Sequence, residues 1–317
     1  MSCPLNSESI KKTSTRLLKV AQDHTGQRLD NFLAKHLKGV PKTAVYRMIR
    51  TGQVRINGGR CKPDHKVQAG DEVRIPPVRA LDSGPAAVSA AVIGQVRHAI
   101  LHEDAHYLVI NKPSGMAVHS GSNLPWGLID AVRQSRPSEY VELAHRIDRE
   151  TSGCVVLARS GPALKHLAAQ FRDGDIVKKY LCLMDGRVKE ARVTVDAPVL
   201  KIRGEHQHVV GIDEEGKDAL THFRLLQAYS DCSYVEAELF TGRTHQIRVH
   251  AAHLGMPLAG DERYSSPAAV KKWRARGLNR LFLHAHQLSF ESITGQTINC
   301  HAPLPPALRE VLDRLER

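Results

Sequence analysis

A stretch rich in alanine, serine, glycine and proline, ALDSGPAAVSAAVIGQ at positions 80–95, separates two parts of the chain that differ strongly in charge. Residues 1–80 contain 16 Lys plus Arg and 6 Asp plus Glu, a net charge of +10, whereas all 317 residues together carry only +12. Such a shift in composition favours two separately folded units. We predict a loose tail over 1–15, a small basic domain over 16–79, a linker over 80–97 and a larger domain over 98–317.

Composition and sequence pattern exclude several classes of protein. With 42% hydrophobic and 25% charged residues, the chain has the composition of a globular protein rather than a disordered one. We expect a cytoplasmic protein, because no apolar run approaches the roughly 18 residues of a membrane span and the opening MSCPLNSESIKK lacks the apolar core of a secretory signal. The six cysteines form no C-x-x-C pair, so we expect reduced core residues.

The small domain shows two helical patterns followed by a hairpin. Leu29, Phe32, Leu33 and Leu37 repeat at helical spacing, and a second apolar stripe lies between Pro41 and Gly52. A tight turn is predicted at Asn57-Gly58, between short alternating strands, with a further strand at Val73 and Ile75.

The same domain is strongly basic, with a net charge of +8 over residues 26–79. We predict that Lys42, Arg47, Arg50 and Arg55 contact RNA, although a solvated basic face is the simpler alternative. The run GQRLDNFLAKHLKGVPKTAVYRMIRTGQVRING, closed by AGDEVRIPP, resembles the S4 RNA-binding domain over about residues 26–79. This resemblance implies RNA binding and says nothing about chemistry.

The larger domain is predicted to be α+β. Strands are expected at Tyr107–Ile110, Val155–Ala158, Tyr180–Met184 and Tyr234–Leu239, and helices at Ala163–Phe171 and Leu304–Leu315. Signatures of a phosphate-binding loop, a dinucleotide-binding turn, a zinc protease and a serine hydrolase are all missing from the sequence. His245, His250 and His253 lie close together without acidic or cysteine ligands, so no metal site is expected.

Two dense polar segments remain as candidates for chemistry, HRIDRETSG at 145–153 and GRTHQIRVH at 242–250. Asp148 lies between two arginines at the edge of a strand, where either a reactive carboxylate or a structural ion pair is reasonable. If Thr244 caps a helix, His245 and Arg248 share one face of it. Spacing alone does not decide between a functional segment and an amphipathic helix start with exposed bases.

Taken together, these segments resemble the RluA family of RNA pseudouridine synthases over about residues 98–305. NKPSG at 111–115 is similar to the first motif of the family, HRIDRETSG to its catalytic loop, Lys179-Tyr180 to its tyrosine segment and GRTHQIRVH to its arginine motif. Gly260-Asp261 with Tyr264, and LFLHA at 281–285, also resemble family segments. The main departure is Ile147 in place of a leucine.

The resemblance implies an isomerase with a small S4 domain followed by a mixed, largely antiparallel sheet. It implies that Asp148 is the essential carboxylate, Arg248 its basic partner and Tyr180 the residue that stacks on the target base. Residues implied to bind the substrate are Arg146, which fills the space of the flipped base, Leu283, which forms the floor, and His145, Arg243 and His245.

No cofactor or metal is expected, because the conversion of uridine to pseudouridine leaves the composition unchanged. The implied substrate is 23S ribosomal RNA of the large subunit, and a monomer is assumed. The alternatives are a synthase of the same family acting on other ribosomal sites or on tRNA, and a non-catalytic RNA-binding protein of ribosome assembly.

Overall fold

The computed structural model describes residues 10–12, 14–37, 40, 42–81, 87–120, 124–203 and 208–316. The chain forms two compact units, Met1–Ala87 and Val88–Arg317. Within the described residues, no helix is long and apolar enough to cross a membrane.

The first unit consists of two helices packed on a small antiparallel sheet. Its elements are β1 (Ile10–Lys12), β2 (Arg16–Lys19), a 3-10 turn (Gln22–His24), α1 (Leu29–His36), α2 (Lys42–Arg50), β3 (Arg55–Ile56), β4 (Gly59–Arg60), β5 (Glu72–Ile75) and β6 (Arg79–Leu81). The main sheet has the order β2-β5-β3-β4, and the apolar faces of both helices join its core. The predicted turn is confirmed, since Asn57 and Gly58 both have positive φ, 49° and 79°.

The predicted N-terminal tail is wrong for part of its length. Strand β1 pairs with β6 in an antiparallel register that places Ile10 opposite Leu81. Backbone pairing therefore orders three residues that have little apolar surface to bury. Residues 1–9 and 13 of the predicted tail lie outside the described residues.

The second unit contains the larger sheet and six helices among its described residues. The helices are α3 (Ala90–His98), α4 (Leu128–Ser135), α5 (Gly161–Asp173), α6 (Gln246–His253), α7 (Pro267–Ala275) and α8 (Pro306–Leu315). The strands are β7 (Ile100–Glu103), β8 (Tyr107–Lys112), β9 (Glu142–Leu143), β10 (Ser152–Ala158), β11 (Val177–Met184), β12 (Arg192–Asp196), β13 (Val199–Arg203), β14 (His208–Ile212), β15 (Leu220–Ala228), β16 (Ser233–Leu239), β17 (Leu283–Glu291) and β18 (Thr297–His301).

The linker predicted over 80–97 is wrong over its second half. Residues 90–98 form helix α3, whose first turn is capped by the Ser89 hydroxyl accepting a hydrogen bond from the Val92 backbone N–H. Val88 and Val96 are buried in the core of the second unit. The alanine-rich composition concealed a helix that contributes only a few apolar residues to that core, and residues 82–86 lie outside the described residues.

Ten described strands form one mixed sheet, which confirms the predicted α+β class. The order along the sheet is β12-β15-β16-β11-β17-β10-β8-β7, with β18 paired to β17 and β9 paired to β10. Every pairing in this sheet is antiparallel except that between β10 and β17. One local parallel contact thus interrupts an otherwise antiparallel architecture.

Strands β10 and β17 diverge after this short parallel contact. Strand β10 pairs with β17 only at Ser152 and Gly153, and with β9 only at Leu157 and Ala158. Between these two pairings Val156 of β10 binds the loop instead of a strand, since its N–H donates to His145 Nε2 at 3.0 Å and its carbonyl accepts from the Ala144 N–H at 3.4 Å. The short pairings of β10 with β17 and β9 therefore leave room for the HRIDRETSG segment beside β10.

Gly153 is required by this geometry. Its φ is +114°, and a Cβ at this position would lie 2.2 Å from the Ala285 carbonyl oxygen. We expect Gly153→Ala to lower the free energy of unfolding by about 3 kcal/mol or more, because both the φ angle and the contact would have to relax. Urea unfolding would measure the loss. Gly115→Ala is the control, since its φ is also positive but nothing lies within 4 Å of a Cβ there; equal losses in the two variants would contradict the role of the close contact.

Candidate active site

A cavity of 330 Å³ opens beside the separated strands, a volume suited to a small ligand such as a nucleoside. Its walls come from the loop 144–151, from strand β11, from the start of α6 and from Leu283 on β17. All eight residues that the sequence singled out in the second unit line it: Asp148, Tyr180, Arg248, Arg146, His145, Leu283, Arg243 and His245.

Asp148 faces two cationic or hydrogen-donating groups. Its Oδ2 lies 3.6 Å from Arg248 Nη1 and 3.8 Å from His245 Nε2. Its side chain is 18% exposed, so one side of the carboxylate remains accessible from the cavity. The arrangement can orient the carboxylate while leaving it free to approach a ligand.

Arg248 is held from behind by a carboxylate that the sequence interpretation did not include in the site. Its Nε and Nη2 donate to Asp261 Oδ2 and Oδ1, both at 2.7 Å, and the Asp261 side chain is fully buried. Burial lowers the pKa of Arg248, but the hydrogen bonds and charge of Asp261 outweigh it and raise the pKa overall. The bidentate pair occupies one edge of the guanidinium, so Nη1 is the nitrogen left to face Asp148.

His245, rather than the Thr244 that the sequence allowed as a cap, precedes helix α6. The N-cap residue is His245 in the left-handed conformation, with φ 56° and ψ 19° and no side-chain cap. Its Nδ1 lies 2.8 Å from the Tyr264 hydroxyl, which can donate to it and leave the N–H on Nε2, toward Asp148. Burial lowers the pKa of His245, and the charge of Asp148 opposes this shift. A strained backbone at a bulky residue is a common feature of functional sites.

His145 fixes the loop to strand β10. Its Nε2 accepts a hydrogen bond from the Val156 backbone N–H at 3.0 Å, and its ring stacks on Phe171 with centroids 4.7 Å apart. Burial, together with the charge of Lys178, lowers the pKa of His145 to about 3. One ring nitrogen of this cavity residue is therefore committed to the protein itself.

The NKPSG segment holds the other end of the loop. Lys112 is fully buried, and its Nζ donates to the carbonyl oxygens of Pro113, Met116 and Arg149 at 2.9, 2.8 and 3.1 Å. Burial is the main cause that lowers its pKa to about 7. The Ser114 hydroxyl also donates to the Glu150 carbonyl, so this segment positions the loop 144–151 rather than lining the cavity.

A second network ties the end of the loop to strand β17. The Ser152 hydroxyl accepts from Arg280 at 2.8 Å and lies 2.9 Å from His284 Nδ1, while His284 Nε2 lies 3.1 Å from the Ala302 carbonyl oxygen. This pattern fits a neutral imidazole with its proton on Nε2, which donates to Ala302 while Nδ1 accepts from the Ser152 hydroxyl. Burial lowers the pKa of His284 to about 4.

The His284 network makes stability depend on pH. An unfolded histidine binds a proton near pH 6.5, whereas folded His284 does so only near pH 4, so stability is lost as the pH falls through this window. We expect a contribution of up to about 1.4 kcal/mol per pH unit between pH 6 and 4. Chemical denaturation at several pH values would show a shallower pH dependence for His284→Gln than for the wild type; parallel curves would contradict the assignment.

Tyr180 and Leu283 form part of the apolar wall of the cavity, together with Phe171 and Leu239. Tyr180 follows an irregularity in the pairing of β11 with β17, a feature common beside active sites. Burial, and secondarily the charge of Asp148, raises the pKa of Tyr180, so its hydroxyl is protonated at neutral pH. Ile147, the departure from the family pattern, is buried in the core of the second unit, where an isoleucine is accommodated.

The two remaining predicted arginines differ in how they are held. Arg146 is exposed, and its side chain has no hydrogen bond or ion pair to any described residue. Arg243 is also exposed, but its Nε donates to the Asp218 carbonyl oxygen at 2.9 Å. Only Arg146 is therefore free to change conformation without breaking a protein contact.

In the first unit, Arg47, Arg50 and Arg55 are exposed, as an RNA-contacting role requires. Arg47 and Arg50 line a concave surface with Tyr46 and Lys62. Arg55 instead donates to the carbonyl oxygens of Gly52 and Gly58 and so supports the hairpin. The side chain of Lys42 lies outside the described residues.

Metal binding is not indicated by the residues that the structure describes. Among them, no group of three or more His, Cys, Asp or Glu side chains is arranged to hold an ion. His250, one of the three clustered histidines, instead lies with Nε2 3.0 Å from the Ala197 carbonyl oxygen.

Comparison with known proteins connects both units to RNA. A family model described as RNA pseudouridylate synthase matches residues 106–253, and one described as the S4 domain matches residues 27–73. The chain is 42% identical over 313 residues to ribosomal large subunit pseudouridine synthase C of Pasteurella multocida (strain Pm70), covering 97% of this chain and 96% of that protein. It belongs to the RluA-type RNA pseudouridine synthases.

Further relatives agree with this assignment. The synthase is 42% identical over 309 residues to ribosomal large subunit pseudouridine synthase C of Escherichia coli (strain K12), covering 95% of this chain and 97% of that protein. Among solved structures, human RNA pseudouridylate synthase domain containing 4 aligns with a TM-score of 0.60 and 26% identity, over 71% of this chain and 96% of that one. The synthase is thus an isomerase with an N-terminal S4 domain.

Proposed function

We propose that this synthase isomerises specific uridines of 23S ribosomal RNA in the large subunit. The observation that carries the proposal is likeness over both units: relatives named for the large ribosomal subunit match 97% and 95% of the chain, including the S4 domain. A synthase acting on other ribosomal sites or on tRNA would share the catalytic cavity, so the substrate must be tested directly.

The test is a map of pseudouridines in all RNA from cells that lack the gene. We expect specific 23S positions to revert to uridine and to be restored by the wild-type gene but not by a gene encoding Asp148→Asn. An unchanged ribosomal map with altered tRNA would overturn the proposed substrate. Unchanged maps in both would contradict activity on either RNA in these cells.

We propose that Asp148 acts on the nucleotide while Arg248 and His245 hold its carboxylate in position. The reaction breaks the N1–C1′ bond, turns the uracil and forms a C5–C1′ bond; C5 loses a proton and N1 gains one. A carboxylate beside C1′ can stabilise the positive charge that develops on the sugar, or attack covalently, as carboxylates do in glycoside cleavage. The distances of 3.6 and 3.8 Å to its partners support an oriented carboxylate that is not locked in a tight ion pair.

We propose that Tyr180 stacks on the uracil and passes on the proton from C5. Because its hydroxyl is protonated at neutral pH, it can accept that proton only while giving its own to another group. Leu283 is the proposed floor of the pocket, and His145, Arg243 and His245 complete its polar wall.

We propose that Arg146 fills the space left when the target uridine leaves its helix, a step that costs a few kcal/mol. Its exposure and freedom from protein contacts support this role. Arg146→Ala is expected to lower kcat/KM on structured RNA by about 100-fold, the factor that corresponds to the few kcal/mol needed to unstack one base. The melting temperature of the protein should not change. Activity assays on a stem-loop and on an unstructured strand of the same sequence measure the loss of kcat/KM; equal losses on both substrates would contradict the flipping role.

We also propose that the exposed basic residues of the first unit contact RNA phosphates, and that Lys42, Arg47, Arg50 and Arg55 contribute. Their charge supports sequence-tolerant affinity, with Arg55 acting in addition to its structural hydrogen bonds. We further propose that the synthase works as a monomer in the cytoplasm without cofactor or metal.

A further inference from the structure

Lys178 is a buried lysine that the roles proposed above leave unused. It lies two residues before Tyr180 on strand β11, lines the catalytic cavity and is only 6% exposed. Among the described residues, no carboxylate or carbonyl oxygen forms an ion pair or hydrogen bond with its Nζ. Burial lowers the pKa of Lys178, and no described carboxylate lies close enough to raise it again.

Other buried or half-buried cations of the same unit are compensated. Lys112 donates to three carbonyl oxygens, and Arg248 forms its bidentate pair with Asp261. The next residue, Lys179, lies 3.7 Å from Glu236. Unlike these cations, Lys178 has no oxygen partner among the described residues.

An uncompensated ammonium inside a protein is costly, because burial removes water that no protein group replaces. The neighbouring His145 does not compensate the charge of Lys178. Instead, the Lys178 ammonium lowers the pKa of that imidazole. Asp148, the carboxylate that lines the same cavity, is already faced by Arg248 and His245. The cavity thus holds a positive charge whose partner is absent from the described protein.

We propose that Lys178 binds a phosphate of the target nucleotide once the uridine enters the cavity. The phosphodiester is the anionic group of an RNA chain. When the target nucleotide places its C1′ beside Asp148, the phosphate bonded to that nucleotide moves with it. An ammonium on a flexible stem suits such a contact, since it acts as a point charge with three donors. The proposal rests on this cavity being the uridine pocket.

The chain offers a matched control for the test. Lys178→Met keeps most of the stem but removes the charge, Lys178→Arg keeps the charge, and Lys179→Met removes the adjacent, paired lysine. We expect Lys178→Met to lower kcat/KM by about 10- to 100-fold, chiefly through KM, with Lys178→Arg and Lys179→Met within a few-fold of the wild type. The melting temperature of Lys178→Met should be equal to or higher than that of the wild type, because an unpaired buried charge is lost.

The phosphate is identified with RNAs that carry one neutral methylphosphonate, either directly 5′ or directly 3′ of the target uridine. At one of these positions, the neutral linkage should lower the kcat/KM of the wild type by the same factor as the Lys178→Met substitution does. On that RNA the wild type and Lys178→Met should then have equal kcat/KM. Lys178→Met as active as the wild type would overturn the proposal. The proposal would also be overturned if Lys178→Met lowered kcat/KM relative to the wild type as much on both modified RNAs as on the unmodified RNA.

The target is chosen so that this result is separate from the proposed substrate. The site is first located with total RNA from cells lacking the gene, which contains every natural target. Wild-type modification outside 23S RNA would refute the proposed substrate and leave the Lys178 comparison fully measurable on the RNA so found.

Discussion

Asparagine in place of Asp148 is expected to reduce pseudouridine formation by about 10⁴-fold or more while leaving the protein folded. The substitution keeps the shape of the side chain but removes the charge that would stabilise or attack the sugar. Stability should change little, because the contacts of Asp148 with Arg248 and His245 are long, at 3.6 and 3.8 Å, and Arg248 keeps its pair with Asp261.

Single-turnover assays on the natural RNA, with pseudouridine quantified directly, would measure the loss of Asp148. Glu150→Gln is the control, since Glu150 is an exposed carboxylate in the same loop and should tolerate neutralisation. RNA binding by the Asp148→Asn variant should stay close to that of the wild type. Substantial residual turnover would show that Asp148 is not the essential carboxylate.

Arg248→Met is expected to cost both activity and stability. It removes the group that faces Asp148 and leaves Asp261 as a fully buried carboxylate without its cation. Losing one partner of a buried pair typically costs about 3–5 kcal/mol, because the remaining charge is uncompensated. The loss in kcat should be on the order of 100-fold or more, since Asp148 would lose its closest cation.

A double variant separates the two effects of Arg248. Arg248→Met with Asp261→Asn removes both charges, and the amide oxygen can still accept from the Arg263 and Tyr264 backbone N–H groups as Asp261 does. We expect the double variant to recover much of the stability of Arg248→Met but none of its activity. Denaturant unfolding and initial rates measure the two quantities, and recovery of both would contradict a role for Arg248 in the reaction.

Local sequence pattern was sufficient where an element buries a regular apolar face. The stripe of Leu29, Phe32 and Leu33 forms helix α1, and the predicted strands of the second unit lie within β8, β10, β11 and β16. It was insufficient at helix α3, where alanine masked the helical spacing of a few valines. Strand β1 was missed for a related reason, since its pairing with β6 depends on residues almost 70 positions away.

The candidate site shows the same division. The two polar segments, the Lys179-Tyr180 segment and their resemblance to a family named every catalytic residue proposed here, and all of those residues line one cavity. The resemblance also included Asp261 and Tyr264, yet their contacts with Arg248 and His245 could not be inferred. Likewise, the sequence does not distinguish Lys178 from Lys179, because one of them is buried without a partner only through the pairing of strand β11.

The sequence by itself therefore determined the two-unit organisation, the α+β class, the family and the chemistry of the reactive side chains. These properties depend on composition, on periodicity over a few residues and on motifs that are contiguous in the chain. Only the tertiary structure decided where the sheet separates, which carboxylate holds Arg248 and which lysine lacks a partner. Those properties arise when strands and loops far apart in sequence exclude water together, since the cost of an unpaired charge depends on every group packed around it.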